Sequence, residues 1–521
     1  MAQINISGLT FYYEGSYDAV FENASFSIDT DWKLGFIGRN GKGKTTFLNL
    51  LMGKYEYRGS IATSTCFDYF PYKIEPEWMG EATIDVVEHI APDYELWKVC
   101  CELDLLHTDA ELLYRPFQTL SHGERTKVML AVLFSKDNYF LLIDEPTNHL
   151  DRETREVVKE YLNRKKGFIL VSHDRWLLDS CVDHVLVLNR NTITVEKGNF
   201  SSWWENKQKQ DAFELAENDK RKREIGRLEE TAKRTAAWAD KVEKTKIGYD
   251  PIKETDRSIS TRAYIGEKSR RMQQRRKNVE RRLQAEIDEK SKLLKDLETP
   301  ADLKLMPLNH HKEVYVHLKE FGLSYGDKEI LNHVTMDIKR GERVLLRGRN
   351  GCGKSSIIKS ILSAPGVTVL NKKKSDNKTE LRENGREERH QHGTLEVASG
   401  LLVSYINQDT SHLTGSLDSY IEEMGVSNSL FKAVLRQLDF ERVQFEKSME
   451  EYSEGQKKKV LITGSLLQQA HLYIWDEPLN YIDVFSRMQI ENLILKYQPT
   501  MLLVEHDHSF GEKAATTVID L

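Results

Sequence analysis

The chain has 521 residues, a formal net charge of −6, and 39% hydrophobic and 30% charged residues, which predicts two to four domains with ordinary buried cores. No run reaches the roughly 18 apolar residues of a membrane-spanning helix, and MAQINISGLTFYYEG lacks the basic and apolar regions of a signal peptide, so a cytoplasmic protein is expected. Cys66, Cys100, Cys101, Cys181 and Cys352 form no C-x-x-C pair, which argues against zinc, iron–sulfur and disulfide frameworks.

The apolar run Lys33–Ile37 is a buried-strand candidate. It leads into Gly38-Arg-Asn-Gly-Lys-Gly43-Lys44-Thr45, which fits G-x-x-x-x-G-K-[ST]. Gly38, Gly41 and Gly43 let backbone N–H groups wrap phosphates at a helix N-terminus, whose partial positive charge favours an anion. Lys44 would reach the β- and γ-phosphates and the Thr45 hydroxyl would ligate Mg2+, with Asn40 and Thr46 in the same cradle. Two more strand candidates, Phe140–Ile143 and Phe168–Val171, follow LSHGERTKVMLAVLF at 120–134. Asp144 ends the first, where an acid can hold Mg2+ directly or through water. Glu145 comes next, placed to orient and deprotonate an attacking water. His173 closes the second and is assigned to the γ-phosphate. Apolar runs that pass through polar loops into helical patterns predict a largely parallel sheet covered by helices.

At about residue 205 the texture changes. Residues 205–246 and 262–297 are charged and rich in helix formers, and their sparse apolar residues recur at spacings of three, four or seven, as in a coiled-coil seam. Gly248 and Pro251 lie between them and break helices. The prediction is an antiparallel helical hairpin over 205–300, with its tip near 247–261 and arms of roughly 60 Å. Between Lys220 and Arg282 there are 21 Lys and Arg against 10 Asp and Glu, a balance of +11 that leaves −17 for the rest of the chain. An acidic body with one basic insert suits a polyanionic partner. A solvated spacer that only ties the halves together is the plainer alternative.

From residue 301 the chain repeats itself. Gly348-Arg-Asn-Gly-Cys-Gly353-Lys354-Ser355 answers the first phosphate loop, and YSEGQKKKVLITGSLL at 452–467 answers LSHGERTKVMLAVLF. LYIWDEPLNYID at 472–483 answers YFLLIDEPTNHLD at 139–151, and LVEHD at 503–507 answers LVSHD at 170–174. The order is the same throughout, so a whole domain is duplicated. The roles carry over. Gly348, Asn350, Gly351, Gly353, Lys354 and Ser356 serve the phosphates, Ser355 and Asp476 the Mg2+, Glu477 the attacking water and His506 the γ-phosphate. The polar stretch 371–393 has one large apolar residue, Leu381, and is expected to be a surface loop.

The phosphate loop, LSHGE, DEPTNHLD and SHD in this order resemble the ATP-binding-cassette ATPases, from about residue 4 to 520. Two cassettes, at 1–204 and 301–521, with a charged linker and no membrane domain resemble the ABC-F family. YSEGQKKKVL and LYIWDEPLNYIDVFSR look most like its Lsa-type antibiotic-resistance members. The resemblance implies an α/β fold of two tandem nucleotide-binding domains on one monomeric chain. They would close head to tail on two ATP molecules, each between one half's phosphate loop and the other half's signature. Lys44 would face Ser453 and Gly455, and Lys354 would face Ser121 and Gly123. A serine hydroxyl and N–H groups at the start of a signature helix suit a γ-phosphate. Tyr13 and Tyr325 match the family's adenine-stacking aromatic; isolated tyrosines more often serve as core residues. Asp151 and Asp483 match the loop that crosses the interface. Gln408 matches the family's Mg2+-contacting glutamine, but Tyr72 stands in that place in the first half, and a phenol is a poor Mg2+ ligand. His122 and Glu454 replace a signature glycine. Both sites are expected to bind ATP, with the first differing in hydrolysis rate.

An ABC-F protein is expected to be a ribosome-binding ATPase. In its ATP-closed form it would enter the tRNA exit site of the large subunit of the 70S ribosome. Its linker would reach toward P-site tRNA, 23S rRNA and the peptidyl-transferase centre. Lys241, Lys244, Lys246, Arg257, Arg262, Lys268, Arg270, Arg271 and Arg275 would meet phosphates, which makes binding salt-dependent. Tyr249 at the tip would stack on RNA bases or pack within the tip. The Lsa-type likeness implies protection against lincosamides, pleuromutilins and streptogramin A. Three readings compete: a general translation factor of the same family acting on stalled ribosomes, the ATPase subunit of a drug exporter, and a DNA-structure-binding ATPase.

Overall fold

The computed structural model describes residues 3–14, 19–148, 150–188, 193–244, 304–325, 328–349, 351–370 and 389–521, together with 270–271, 274, 277–279, 281–282 and 285. By its internal contacts the chain forms two compact units, Met1–Trp203 with Ala301–Leu521, and Trp204–Pro300.

Among the described residues, each half of the larger unit holds one six-stranded and one three-stranded sheet. The first six-stranded sheet runs Cys66–Phe70, Tyr139–Asp144, Phe168–Val171, Lys33–Ile37, His184–Leu188, Ile193–Lys197. Its pairings are parallel except the last. The second runs Val367–Val369, Leu401–Ile406, Leu472–Asp476, Met501–Val504, Arg343–Arg347, Thr517–Asp520, all in parallel. Phe168–Val171 and Met501–Val504 are buried at every position, as strands covered on both faces must be. Each phosphate loop leaves the C-terminal end of a central strand, Lys33–Ile37 or Arg343–Arg347. The strands ending in Asp144 and Asp476 lie two places away, and His173 and His506 follow the strand between. Parallel order therefore brings Lys44, Asp144 and His173, and likewise Lys354, Asp476 and His506, to the C-terminal ends of neighbouring strands, where α/β proteins place their ligands.

The antiparallel sheets order Phe21–Asp29, Gln3–Phe11, Arg58–Ala62 and Lys328–Lys339, Val314–Tyr325, Arg389–Val397. In the first half, Phe47 of the helix Lys44–Leu51 fills the space between the two sheets. Its ring lies 6.0 Å from Phe21 on one sheet and 5.4 Å from Phe36 on the other. Truncating such a ring to alanine costs about 3–5 kcal/mol, so the helix that carries Lys44 is seated by this packing.

Residues 389–393, expected as the end of a polar loop, instead begin the strand Arg389–Val397, which pairs with Val314–Tyr325. An edge strand tolerates the polar sequence because one of its sides faces no neighbour. The remainder of that predicted loop, 371–388, lies outside the described residues.

The helix Phe200–Lys244 has 45 residues, about 67 Å at 1.5 Å per residue. Lys207–Asp211, Glu217–Arg221 and Glu230–Arg234 form i,i+4 ion pairs along it, a support suited to a helix with few apolar residues. Arg270 and Arg271 are exposed and helical. The predicted tip 247–261, with Tyr249 and Arg257, lies outside the described residues. So do Lys246, Arg262, Lys268 and Arg275, and the side chains of Lys241 and Lys244. Among the described residues no helix is long and apolar enough to cross a membrane.

Candidate functional site

The two phosphate loops are built alike. Gly41 and Gly43 take φ of 77° and 103°, and Gly351 and Gly353 take 82° and 100°, in the left-handed region that favours glycine. A Cβ on Gly43 would stand 2.5 Å from Val20 Cγ1, and one on Gly353 2.7 Å from Leu331 Cδ2. The helices that begin there, Lys44–Leu51 and Lys354–Leu362, carry no side-chain cap. Their first N–H groups are therefore left for an anion. Lys44 Nζ arches back to Gly38 O at 2.6 Å and Asn40 Oδ1 at 3.1 Å. Lys354 Nζ reaches Gly348 O at 2.7 Å and Arg349 O at 3.0 Å. Burial lowers the Lys44 ammonium below its ordinary value, with Glu145 acting the other way. Asn350 lies outside the described residues.

Thr45 Oγ1 donates to Asp144 Oδ2, and Ser355 Oγ to Asp476 Oδ2, each at 3.1 Å. Asp476 Oδ1 is buried without a hydrogen-bond partner among the described residues. A hydroxyl, a carboxylate and an unused buried oxygen fit a Mg2+ ion, which takes hard oxygen ligands. When bound, the ion would offset the negative charge of the phosphates. Burial raises Asp144, and burial together with Glu477 raises Asp476 to about 6.

Glu145 and Glu477 hold left-handed backbones, φ 51° and 47°. Such strain on a non-glycine residue collects at functional sites. His173 Nε2 is 3.5 Å from Glu145 Oε1, and His506 Nε2 is 3.4 Å from Glu477 Oε1. The two carboxyls differ in environment. Burial and Asp144 push Glu145 up to about 8. Burial acts upward on Glu477 too, but His506, Lys354 and Lys458 hold it below its ordinary value. Burial keeps His173 neutral, well below its usual range.

Both sites are shared between the cassettes. Asn40 Nδ2 donates to Tyr481 O at 2.7 Å. A Cβ on Gly455 would lie 2.6 Å from the same oxygen and 3.6 Å from Asn40 Nδ2, so the second signature abuts the first phosphate loop. On the other side, a cavity of about 440 Å³ is lined by His122 and Arg155 of the first half and by Gly351, Lys354, Ser355, Ser356, Gln408, Glu477 and His506 of the second. Ser121 caps the helix His122–Phe134 through Glu124 N at 3.2 Å, and Ser453 caps Glu454–Leu467 through Gln456 N at 3.3 Å. Gly123 packs beside Thr154, whose side chain would lie 3.2 Å from a Cβ there. Asp151 and Asp483 cap the next helices, accepting from Thr154 N at 3.0 Å and Ser486 N at 2.9 Å.

Tyr13 is an exposed residue, its hydroxyl 2.6 Å from Thr46 Oγ1 and its ring 5.1 Å from Phe11. It is therefore available to stack on a base. The side chain of Tyr325 lies outside the described residues. Gln408 Nε2 donates to Glu477 Oε2 at 2.8 Å. Tyr72 turns elsewhere, to Asp68 Oδ2 at 2.6 Å, and it is Tyr69 whose hydroxyl meets Asp144 Oδ2, at 3.1 Å. Tyr72 stands two residues past its strand, as Gln408 does past Leu401–Ile406, and Tyr69 is a contact to Asp144 that the motif did not point to. Asn480 was also missed. Its Nδ2 donates to Glu477 Oε2 at 2.8 Å, and its position three residues after the glutamate was the available signal.

The family model for the ABC transporter matches residues 21–148 and 331–480, together more than half of the chain. The ribosome protection protein VmlR of Bacillus subtilis is 26% identical over 97% of this chain and 84% of its own length. ABC transporter F family member 2 of Arabidopsis thaliana is 22% identical over 99% of this chain and 76% of its own length. Among solved structures, the archaeal ribosome recycling factor aABCE1, in complex with the ribosomal stalk protein aP1, superposes with a TM-score of 0.58 at 17% identity. That match covers 98% of this chain and 87% of the other, a likeness of fold. With two phosphate loops, two strand-end Asp-Glu pairs and two signature helices in a shared interface, the chain belongs to the ABC transporter family, as a tandem-cassette ATP hydrolase of the ABC-F type.

Proposed function

We propose that this protein is a ribosome-bound ATPase that protects the large subunit from antibiotics of the lincosamide, pleuromutilin and streptogramin A classes. In this reading the ATP-closed cassettes occupy the tRNA exit site in the cytoplasm. The segment 205–300 extends toward the P-site tRNA and the peptidyl-transferase centre, where its insertion remodels the drug site. ATP hydrolysis then parts the cassettes and releases the protein. The roles of Lys44, Lys354, Asp144, Asp476, Glu145, Glu477, His173 and His506 are those assigned above.

The observation that carries the reading is the basic insert, +11 between Lys220 and Arg282, set between two cassettes in a chain that is otherwise acidic. Such a charge suits nucleic-acid phosphates. The likeness to a ribosome protection protein over 97% of the chain supports it.

The test is co-sedimentation with 70S ribosomes, using the double variant Glu145→Gln and Glu477→Gln. An amide cannot act as base, yet it leaves the phosphate loops intact. The variant is expected to pellet only with ATP, and to be released as salt rises. Expression of the wild-type protein is then expected to raise the inhibitory concentrations of the three drug classes. A variant that binds ATP but stays in the supernatant would refute ribosome binding and turn attention to membrane partners or DNA. Ribosome binding with unchanged inhibitory concentrations would favour a general translation factor.

A further inference from the structure

Behind Glu477 lie two buried charges where the first half has hydroxyls. LVEHD carries Glu505 where LVSHD carries Ser172, and YSEGQKKKV carries Lys458 where LSHGERTKV carries Thr126. Glu505 is 6% exposed and Lys458 2%. In the first half, Ser172 Oγ accepts the Asp174 N–H at 3.1 Å and Thr126 Oγ1 donates to His122 O at 2.9 Å. Each hydroxyl thus serves its own stretch of backbone. Buried charges seldom add stability beyond what their desolvation removes, and one cassette is built with hydroxyls at these places. Folding alone therefore gives no reason for Lys458 and Glu505.

Their partners give one. Glu505 directly follows the strand Met501–Val504, which pairs in parallel with Leu472–Asp476, the strand that leads into Glu477. Its Oε1 accepts the Leu479 N–H at 3.0 Å and its Oε2 the His506 N–H at 2.9 Å. One carboxylate therefore ties the loop after Glu477 to the loop that carries His506. Next to Leu479, Asn480 donates from Nδ2 to Glu477 Oε2 at 2.8 Å, and His506 Nε2 lies 3.4 Å from Glu477 Oε1. Lys458 Nζ donates to Asn407 O at 3.0 Å. The next residue, Gln408, donates from Nε2 to Glu477 Oε2 at 2.8 Å. Each of these three side chains around Glu477 is thus held from behind by Glu505 or Lys458. Burial raises the Glu505 carboxyl against the pull of Arg487. Burial lowers the Lys458 ammonium, and Glu505 is foremost among the carboxylates that keep it charged.

We propose that Glu505 and Lys458 are positioning residues for ATP hydrolysis at the second phosphate loop: Glu505 fixes Asn480 and His506, Lys458 fixes Gln408, and together they aim the Glu477 carboxylate at the attacking water. The inference rests on Glu477 as the general base of that site. A base works only when it is aimed, and a misplacement of about 1 Å can slow a reaction by about 100-fold. Both residues act on Glu477 through its neighbours, so their loss should lower kcat and spare KM.

The experiment measures steady-state hydrolysis of Mg2+-ATP by the full chain, with Glu477→Gln as the yardstick. Glu505→Gln keeps the shape of the side chain but sets an amide N–H against one of the two backbone donors. It is expected to give at least about half of the kcat loss of Glu477→Gln, on a logarithmic scale, with KM within about twofold of wild type. Lys458→Met is expected to lower kcat as well, with KM likewise unchanged. Because both residues act through Glu477, adding Glu505→Gln to Glu477→Gln is expected to slow hydrolysis no further. If Glu505→Gln fails to fold, Glu505→Ser with Lys458→Thr, which installs the residues of the first half, takes its place under the same expectations. A kcat equal to wild type, a change confined to KM, or a loss that multiplies with that of Glu477→Gln overturns the positioning role and leaves Glu477 as base. A Glu477→Gln variant as fast as wild type overturns both.

Discussion

Arg155 of the first cassette donates from Nη1 to the His506 carbonyl of the second at 3.2 Å. The same buried guanidinium holds Leu150 O through Nε at 2.9 Å and lies 3.4 Å from Asp174 Oδ2. One side chain thus ties Leu150 of one half to the backbone of His506 in the other. Arg155→Met removes all three contacts and leaves the buried Asp174 carboxylate with Arg487 but without its ion-pair partner. A loss of about 2–4 kcal/mol in urea unfolding is expected, with weaker ATP binding. An unfolding midpoint and affinity equal to wild type would show that the contacts contribute nothing.

Lys459 Nζ lies 3.1 Å from Asp483 Oδ2, and both are buried. Burial acts to raise the Asp483 carboxyl, but Lys459 and the Ser486 N–H hold it well below its ordinary value. The folded state therefore binds fewer protons than the unfolded one. The pair's stabilisation is full above the ordinary aspartate value near about 4 and is lost as pH falls through the lower folded value. Lys459→Met is expected to cost about 3–5 kcal/mol at neutral pH. At pH near about 4 the deficit should shrink, because the stranded carboxyl can then take a proton. Thermal melts of both proteins at the two pH values check this; a deficit independent of pH would contradict it.

Asp476 holds its proton to about 6, raised by burial and by Glu477. Only the ionised carboxylate can ligate Mg2+, so metal binding must displace that proton. The Mg2+-dependent part of nucleotide affinity is expected to rise as pH passes upward through about 6, and to flatten in Asp476→Asn. Titration with a fluorescent nucleotide, with and without Mg2+, measures it. A dependence that persists unchanged in the variant assigns the proton to another group.

Much of this molecule is written locally. A glycine-rich loop of eight residues, an Asp-Glu pair after an apolar run, and their repetition some 310 to 333 positions later are contiguous patterns whose chemistry does not depend on the rest of the chain. The strands Lys33–Ile37 and Phe168–Val171 were legible to the residue, because strands buried on both faces read as unbroken apolar runs. The edge strand Arg389–Val397 was not legible, because nothing in RHQHGTLEV separates a polar strand from a polar loop until its partner is known.

What the sequence alone determined is the inventory: two cassettes, their phosphate loops, acids, bases and signatures, and a basic insert between them. What the tertiary structure alone decided is who meets whom. Strand register sends Tyr69 rather than Tyr72 to Asp144. The cassette interface joins Arg39 to Asp439 across 400 positions of chain, and Arg155 to His506 across 351. Such contacts leave no mark in local spacing, since an arginine, an aspartate or a backbone carbonyl reads the same in sequence whatever it meets in the other half.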